Sequence, residues 1–250
     1  MANRSILAAA ILVLAGLTMI PSMFGQQALT GATRDDATTS DGIRIDRLSP
    51  KQLQTWRSIE QIIQAVDRAG RPLHPRLFGL WRWAQGCGHA IYVEIVDEKN
   101  PSTYHAGFLT VQAPNGDTSR SIAVIQLYSW VIEKASVQKE VQRPDGFIPF
   151  AGLGRLERYA QVFGHELAHA ELQLEDAAYD RLCRDLEAER GLFLSSRQQN
   201  LKASAYDQTA KDRLTRIRSL TEQIEKPAQS AEVEIWRELL TGQAIRAAAR

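Results

Sequence analysis

The chain has 250 residues, of which 44% are hydrophobic and 24% are charged, close to the averages for globular proteins. This composition excludes wholesale disorder, a collagen-like chain and a multi-span membrane protein, and the length suits one sizeable domain or two small ones. A formal net charge of +1 gives no basic field that would attract nucleic acid. Two cysteines are too few for a four-thiolate zinc site or a disulfide-rich scaffold.

The apolar residues are concentrated at the front of the chain, where residues 1–32 carry a single charge, Arg4. An uncharged apolar run follows Arg4, and small residues suit cleavage after Ala32, as in a secretory signal peptide. The alternative is an uncleaved membrane anchor over residues 6–24, although Pro21 interrupts that run. Both interpretations export the rest of the chain, so we expect a secreted, periplasmic or outer-face location at the cytoplasmic membrane.

Behind this segment, the sequence predicts a flexible polar linker over residues 33–48, because these residues lack helical periodicity. An amphipathic helix is expected over about 50–68, where apolar residues recur at three- and four-residue spacing. Ser49 and Pro50 form a typical helix start. Residues 70–89 are rich in glycine, proline, arginine and tryptophan, and we expect them to be irregular.

Three strand-like runs come next: Ala90–Val96, His105–Gln112 and Ser121–Tyr128. The Asn115-Gly116 pair between the last two runs is a strong turn signal. We therefore expect a three-stranded, mostly antiparallel meander.

From Leu153 to the end, the pattern predicts helices, with breaks near Gly191, near Asn200 and at Pro227. There is no internal repeat at solenoid spacing. The predicted fold class is α+β, with a small, mostly antiparallel sheet followed by a helical half.

One motif in the helical half carries chemistry, the HExxH pattern of His165-Glu166-Leu167-Ala168-His169. On a helix, both histidines point away from the apolar face and stand one turn apart, so both imidazoles can reach one ion. Glu166 lies beside them, which suits it to act as general base on a metal-activated water and not as a ligand. The alternative is an exposed helix with two unrelated histidines.

At these residues the chain resembles the zincin metallopeptidases. The resemblance is strong over about 159–170 and looser over the order of sheet and helices, and Glu171 departs from it because a hydrophobic residue is usual there. It implies a zincin-like metallopeptidase domain over residues 49–250 with one zinc ion per chain. It also implies that an edge strand, for which Ser121–Tyr128 is the candidate, pairs with extended substrate.

The resemblance also requires a third protein ligand beside the two histidines, and the sequence leaves its identity open. In the gluzincin branch, a glutamate from a later helix supplies it. Glu232 falls on the apolar face of such a helix, where an unpaired carboxylate is costly, so it is the first candidate. Glu234 and Glu238 face water there and rank lower. The metzincin branch would use Glu175, but the glycine turn usual before that ligand is missing. An ordinary glutamate in the first helical turn is the alternative for Glu232.

Four further side chains are noted. Cys87 and Cys183 either form one disulfide, as an exported protein permits, or remain two buried thiols. Tyr179 and Tyr206 are both candidates for stabilising a transition state, and nothing in the sequence selects between them.

Together these features predict a zinc-dependent metallopeptidase that hydrolyses peptide bonds outside the cytoplasmic membrane through a metal-activated water. His165 and His169 would hold the metal with Glu232, and Glu166 would be the general base. The partner would be a peptide or protein substrate and not nucleic acid, while the oligomeric state stays open. The second hypothesis is an exported, tethered helical binding or scaffold module whose metal site is inactive or structural.

Overall fold

The computed structural model describes residues 42–98, 106–112, 121–134, 150–199 and 208–248. The predicted signal or anchor over residues 1–32 and most of the predicted linker lie outside these ranges. The chain divides into two compact units. Among the described residues, the smaller unit comprises 183–199 and 208–222, and the larger unit comprises all the others.

The larger unit contains a four-stranded mixed sheet, which confirms the predicted α+β class. Its strands are β1 (Gly42–Arg44), β2 (Ala90–Val96), β3 (Gly107–Gln112) and β4 (Ile122–Tyr128). The order across the sheet is β1-β2-β4-β3. The first two pairings are parallel, and only β3 and β4 run antiparallel.

The mostly antiparallel meander is therefore wrong, although β2 has the predicted bounds and β3 does pair antiparallel with β4. The two strands with the cleanest alternation, β2 and β4, each bury every second side chain and pair at the centre of the sheet. The less buried β3 takes an edge. Alternation along a strand indicates which face is buried, but it does not identify the neighbouring strand.

The linker prediction also needs correction, because Gly42–Arg44 within residues 33–48 forms strand β1. Gly42 has a φ of 108° and donates its backbone N–H to the carbonyl of His89 at 3.0 Å. A strand of three residues is too short to show a period of two, so the sequence carries no signal for it.

Two helices from the N-terminal part of the chain cover the sheet. Helix α1 (Pro50–Ile63) begins with the predicted signal, a capping box between Ser49 and Gln52, and ends earlier than residue 68. Helix α2 (Pro75–Gly86) lies in the region predicted to be irregular. The side chain of His74 does not cap α2; the carboxylate of Glu238 instead accepts from the N–H groups of Arg76 at 2.8 Å and Leu77 at 3.4 Å. This cap lies about 160 residues away in sequence, so no local pattern predicts it.

The later helices break at other places than predicted. After the short α3 (Ser129–Glu133) come α4 (Arg155–Glu175), α5 (Ala177–Gln199) and α6 (Gln208–Ala248). Helix α5 continues through Gly191 and α6 continues through Pro227, while the chain turns at Asp176. The predicted break near Asn200 lies outside the described residues. Burial of Ala228, Ala231, Ile235 and Leu239 along α6 offsets the cost of about 3 kcal/mol that a proline carries inside a helix.

The core of the larger unit lies between one face of the sheet and helices α1, α2, α4 and the end of α6. Trp56 of α1 packs edge-on against Phe163 of α4, with ring centroids 4.9 Å apart. This packing fixes α4, which carries the HExxH motif, against the sheet.

The smaller unit consists of parts of α5 and α6. Its buried apolar residues are Leu186, Phe193, Leu214, Ile217 and Leu220. Glu189 forms ion pairs with Arg213 and Arg216, both at 3.2 Å, which join the two helical segments. Across the described residues, no helix is both long enough and apolar enough to cross a membrane.

Candidate metal centre

The HExxH motif lies in the middle of α4 and faces α6. Tyr159, Ala160, Phe163, Leu167 and Ala170 of α4 are buried, as the helical periodicity predicts. A Cβ atom added to Gly164 would lie only 2.6 Å from the Cδ1 atom of Ile235 on α6. Glycine at this position therefore allows α6 to approach α4 closely, directly beside His165.

The two histidines converge as the motif predicts. The Nε2 atoms of His165 and His169 are 3.1 Å apart, and their rings meet edge-on with centroids 4.7 Å apart. His169 is buried, and the side chain of His165 is 17% exposed. Two ring nitrogens directed at one point are the arrangement that a shared metal ion needs.

A carboxylate that the sequence analysis missed completes this group. The Oε2 atom of Glu225, on α6, lies 3.7 Å from the Nε2 atoms of both His165 and His169. These three residues form a cluster whose ligand atoms lie within 4.8 Å of one another. Three atoms at the measured separations share a point about 2.0 Å from each, which matches the ~2.0–2.2 Å bonds of zinc to histidine nitrogen and carboxylate oxygen.

The side chain of Glu225 is 38% exposed, so the cluster is open to solvent on this side. Two imidazoles and one carboxylate suit zinc, and they also suit other divalent first-row metals. The donor set therefore fits a catalytic metal site with three protein ligands, without selecting the element.

The leading candidate for third ligand, Glu232, lies at the other side of His165. It is buried, as predicted, and its Oε1 atom accepts from the side-chain amide of Gln161 at 3.0 Å. Its Oε2 atom lies 3.7 Å from the Nδ1 atom of His165 and not beside the Nε2 atoms. Glu232 thus faces the other ring nitrogen of His165, at a distance longer than a hydrogen bond.

The three other candidates lie in different surroundings. Glu234 is exposed. Glu238 caps helix α2 through two backbone N–H groups, and its partial burial raises the pKa of its carboxyl. Glu175 is the last residue of α4 and accepts from the indole N–H of Trp83 at 3.1 Å. None of the three belongs to the cluster found in the described residues.

His169 has a further partner in Tyr179, near the start of α5. The Nδ1 atom of His169 lies 2.6 Å from the Tyr179 hydroxyl oxygen, which in turn donates to the backbone carbonyl of Ile224 at 2.9 Å. Tyr179 thus contacts a ring nitrogen of a candidate ligand, and the hydroxyl of Tyr179 is used in holding His169. Tyr206, the other tyrosine considered from the sequence, lies outside the described residues.

The carboxylates give the cluster a negative field. Burial alone lowers the pKa of His169, but the hydrogen bond and negative charge of Glu225 outweigh it and raise the pKa overall, with Glu166 and Glu232 adding to the effect. Three carboxyl groups therefore lie near the two imidazoles, those of Glu166, Glu225 and Glu232. This arrangement favours the binding of a cation.

Glu166 is buried between α4 and the edge of the sheet. A Cβ atom added to Gly107 of β3 would lie 2.5 Å from the Oε1 atom of Glu166, so only glycine leaves room for this carboxylate. Burial raises the pKa of Glu166 to about 8 in the metal-free protein, and Glu225 and Glu232 add to the rise while His169 opposes it. A bound dication would shift this pKa down again.

The edge strand next to Glu166 is β3 and not the strand named from the sequence. Ser121–Tyr128 was expected at an edge, but β4 within it pairs with β2 on one side and β3 on the other. Among the described strands, β3 has one paired side only and contacts α4. The error follows from the predicted meander, in which the last strand lies at an edge, whereas the order β1-β2-β4-β3 puts β4 inside the sheet.

Two further points concern the charge of Glu171 and the two cysteines, for which the sequence left open a disulfide or two thiols. Glu171, the charged residue where the zincin resemblance expects a hydrophobic one, forms an ion pair with Arg76 of α2 at 3.0 Å. Cys87 and Cys183 are not joined by a disulfide. The thiol of Cys87 contacts the backbone carbonyls of Ala84 and His89 instead.

Glu225 was not predicted because it precedes Pro227, where the sequence predicts a helix break, and the candidate glutamates of α6 all follow that break. The residue does carry one signal: it precedes Glu232 by seven positions, two turns of a continuous helix, and therefore shares its face. Asp176 ends α4 and starts a new helix, with its side chain accepting from the N–H groups of Ala178 and Tyr179. An aspartate that caps a helix is a local signal for a helix start, and hydrophobic periodicity alone does not include it.

No protein-family model, curated protein or solved structure matches this chain. The zincin resemblance therefore rests on the motif region, about residues 159–170, and on the order of sheet and helices. A function has to be inferred from the arrangement of this site.

Proposed function

We propose that the protein is a zinc-dependent peptidase that hydrolyses peptide bonds outside the cytoplasmic membrane. The observation that carries the proposal is the convergence of His165, His169 and Glu225 on one point at zinc-bonding distance. Glu166, the residue that the motif singles out as general base, is buried and interacts electrostatically with His169 and Glu225. A metal at the point of convergence would act as a Lewis acid and increase the acidity of water.

In this proposal the third ligand is Glu225 and not the Glu232 expected from the sequence. The support is distance, because Glu225 is near both Nε2 atoms while Glu232 faces the Nδ1 atom of His165. Glu232 then acts through His165 by holding its ring in position, and Gln161 fixes Glu232.

Glu166 has the chemical role of moving a proton. Its carboxylate accepts a proton from the attacking water as the new carbon–oxygen bond forms, and delivers it to the leaving nitrogen as the peptide bond breaks. The low-polarity environment between α4 and β3 favours the protonated carboxyl, as the raised pKa of Glu166 indicates. A bound dication would lower this pKa again and so favour the carboxylate form, which can accept the proton.

The substrate in this proposal is an extended peptide lying along β3. This edge strand begins at Gly107, against Glu166, so a peptide added to it would pass the general base. Phe108 is 41% exposed on the same strand and offers an apolar contact to a substrate side chain. Extended-strand pairing is also what the zincin resemblance implies.

The test is Glu166→Gln, which keeps the shape of the side chain but removes the base. We expect zinc binding to be retained and cleavage of an unbiased peptide library to fall by about 10²–10⁴-fold. Glu171→Gln, on the same helix but paired with Arg76, is the matched control and should cleave like wild type.

Two results would contradict the proposal. Cleavage by Glu166→Gln at the wild-type rate would exclude Glu166 as the base. A wild-type chain that binds zinc but cleaves no member of the library would favour the second hypothesis, a binding or scaffold module with a structural metal site.

A further inference from the structure

The hydroxyl of Tyr179 joins two parts of the metal cluster that come from different helices. The Tyr179 side chain is buried, and its oxygen lies 2.6 Å from His169 Nδ1 and 2.9 Å from the carbonyl oxygen of Ile224. His169 belongs to α4, and Ile224 precedes Glu225 on α6. The Tyr179 oxygen therefore contacts one proposed ligand, His169, directly. It also contacts Ile224, the residue next to a second proposed ligand, Glu225.

Counting protons fixes the direction of these two hydrogen bonds. A phenol carries a single hydrogen, and a backbone carbonyl can only accept. The Tyr179 hydroxyl donates to Ile224, so its oxygen has to accept from His169 Nδ1–H. The neutral His169 ring is then protonated on Nδ1, which leaves the Nε2 lone pair directed at His165 and Glu225.

The turn at Asp176 brings Tyr179 to this position. In an unbroken helix, Tyr179 would lie about 15 Å along the axis from His169, because ten residues rise by about 1.5 Å each. Instead α4 ends at Glu175, and the Asp176 carboxylate accepts from the backbone N–H of Tyr179 at 3.3 Å in the first turn of α5. The change of direction returns Tyr179 to the side of His169.

The accepting carbonyl lies in the turn of α6 that precedes Pro227. Pro227 has no N–H to donate to the carbonyl four residues earlier, which belongs to Gln223, the neighbour of Ile224. The Ile224 carbonyl and the Glu225 side chain belong to this same turn. Tyr179 thus donates to α6 at the turn from which the Glu225 carboxylate reaches the two histidines.

We propose that Tyr179 is a positioning residue, which holds His169 as the Nδ1-protonated tautomer and ties it to the turn of α6 that carries Glu225. The role is to set two metal ligands in place before the ion arrives. It rests on the proposed metal centre but not on peptidase activity.

The experiment compares the full-length wild-type chain with Tyr179→Phe, which removes only the hydroxyl. The matched control is Tyr159→Phe, because Tyr159 of α4 is also a buried tyrosine and its hydroxyl donates to Glu133 at 3.0 Å instead of contacting a histidine. Zinc affinity is measured by competition with a chromogenic chelator. The tautomer of His169 is read from the ¹⁵N chemical shifts of its ring in the zinc-free protein, at a pH where the ring is neutral.

We expect wild type and Tyr159→Phe to show His169 protonated on Nδ1. Tyr179→Phe should shift the ring toward Nε2 protonation and weaken zinc binding by about 10–100-fold. Wild-type His169 protonated on Nε2, or Tyr179→Phe binding zinc as tightly as Tyr159→Phe, would overturn the proposal. Zinc binding without peptidase activity would overturn the proposed function alone, and would leave the role of Tyr179 supported by the tautomer and the affinity.

Discussion

Two glutamates on one face of α6 lie beside different ring nitrogens at the candidate site. Glu225 and Glu232 are two helical turns apart, yet Glu225 faces the Nε2 atoms of both histidines and Glu232 faces the opposite nitrogen of His165. A ring nitrogen that binds metal is usually oriented by a partner on its other nitrogen. The positions of the two carboxylates therefore predict different consequences when each is removed.

Glu225→Ala should weaken zinc binding by more than about 100-fold, because it removes a ligand, while Glu232→Ala should cost about 10–100-fold through loss of ring orientation. Competition with a chromogenic chelator measures both. Glu234→Ala is the control, since Glu234 is exposed on the same helix, two residues after Glu232. A larger loss in Glu232→Ala than in Glu225→Ala would restore Glu232 as the third ligand.

At the scale of elements, the contact between α4 and β3 sets the position of the general base. Gly107→Ala would place a methyl group against the Glu166 carboxylate and the Val162 side chain, where there is no room for it. We expect peptide cleavage to fall by about 10²-fold, because a displacement of about 1 Å at a catalytic group has an effect of this size. Zinc affinity should change little, since the three atoms nearest to the added Cβ atom belong to Glu166 and Val162 and not to a proposed ligand.

Gly79→Ala in α2 is the control for this prediction, because an added Cβ atom there meets nothing within 4 Å. It should leave cleavage unchanged and slightly stabilise the helix. Equal cleavage by Gly107→Ala and Gly79→Ala would show that the approach of β3 to Glu166 has no role in turnover.

The same elements show how far a sequence can predict this fold. The bounds of β2, the start of α1 at Ser49 and the two co-facing histidines were predicted, because each depends on neighbouring residues. The parallel pairing of β2 with β4 was not predicted, because it depends on segments about thirty residues apart. Helix α6 continues through Pro227 because tertiary packing outweighs a local penalty, and this continuation carries Glu225 to the site.

At the scale of the whole molecule, stability should depend on pH through His74, which is buried against α6. Burial, followed by the nearby positive charge of Arg246, lowers the pKa of His74 from 6.5 to about 4. Between these values the unfolded chain binds a proton that the folded chain does not, so stability falls as the pH drops. The contribution lost between pH 7 and pH 5 is about 2 kcal/mol.

The measurement is urea unfolding of wild type and His74→Gln at both pH values. Glu166, with its raised pKa, acts in the opposite direction, since its protonated form is favoured in the folded state and stabilises it as the pH falls. The difference between the two proteins cancels this effect. The variant should lose less stability than wild type on acidification, and equal losses would show that His74 is not responsible.

The larger unit brings the cluster together, because its three proposed ligands come from α4 and α6 and Tyr179 of α5 contacts one of them. The central claim is that this cluster binds one zinc ion. The most direct test is the zinc content of the purified full-length chain and of His165→Ala after equilibration with zinc and gel filtration. The account predicts one zinc per wild-type chain and none in the variant, and a wild-type chain without zinc would contradict it.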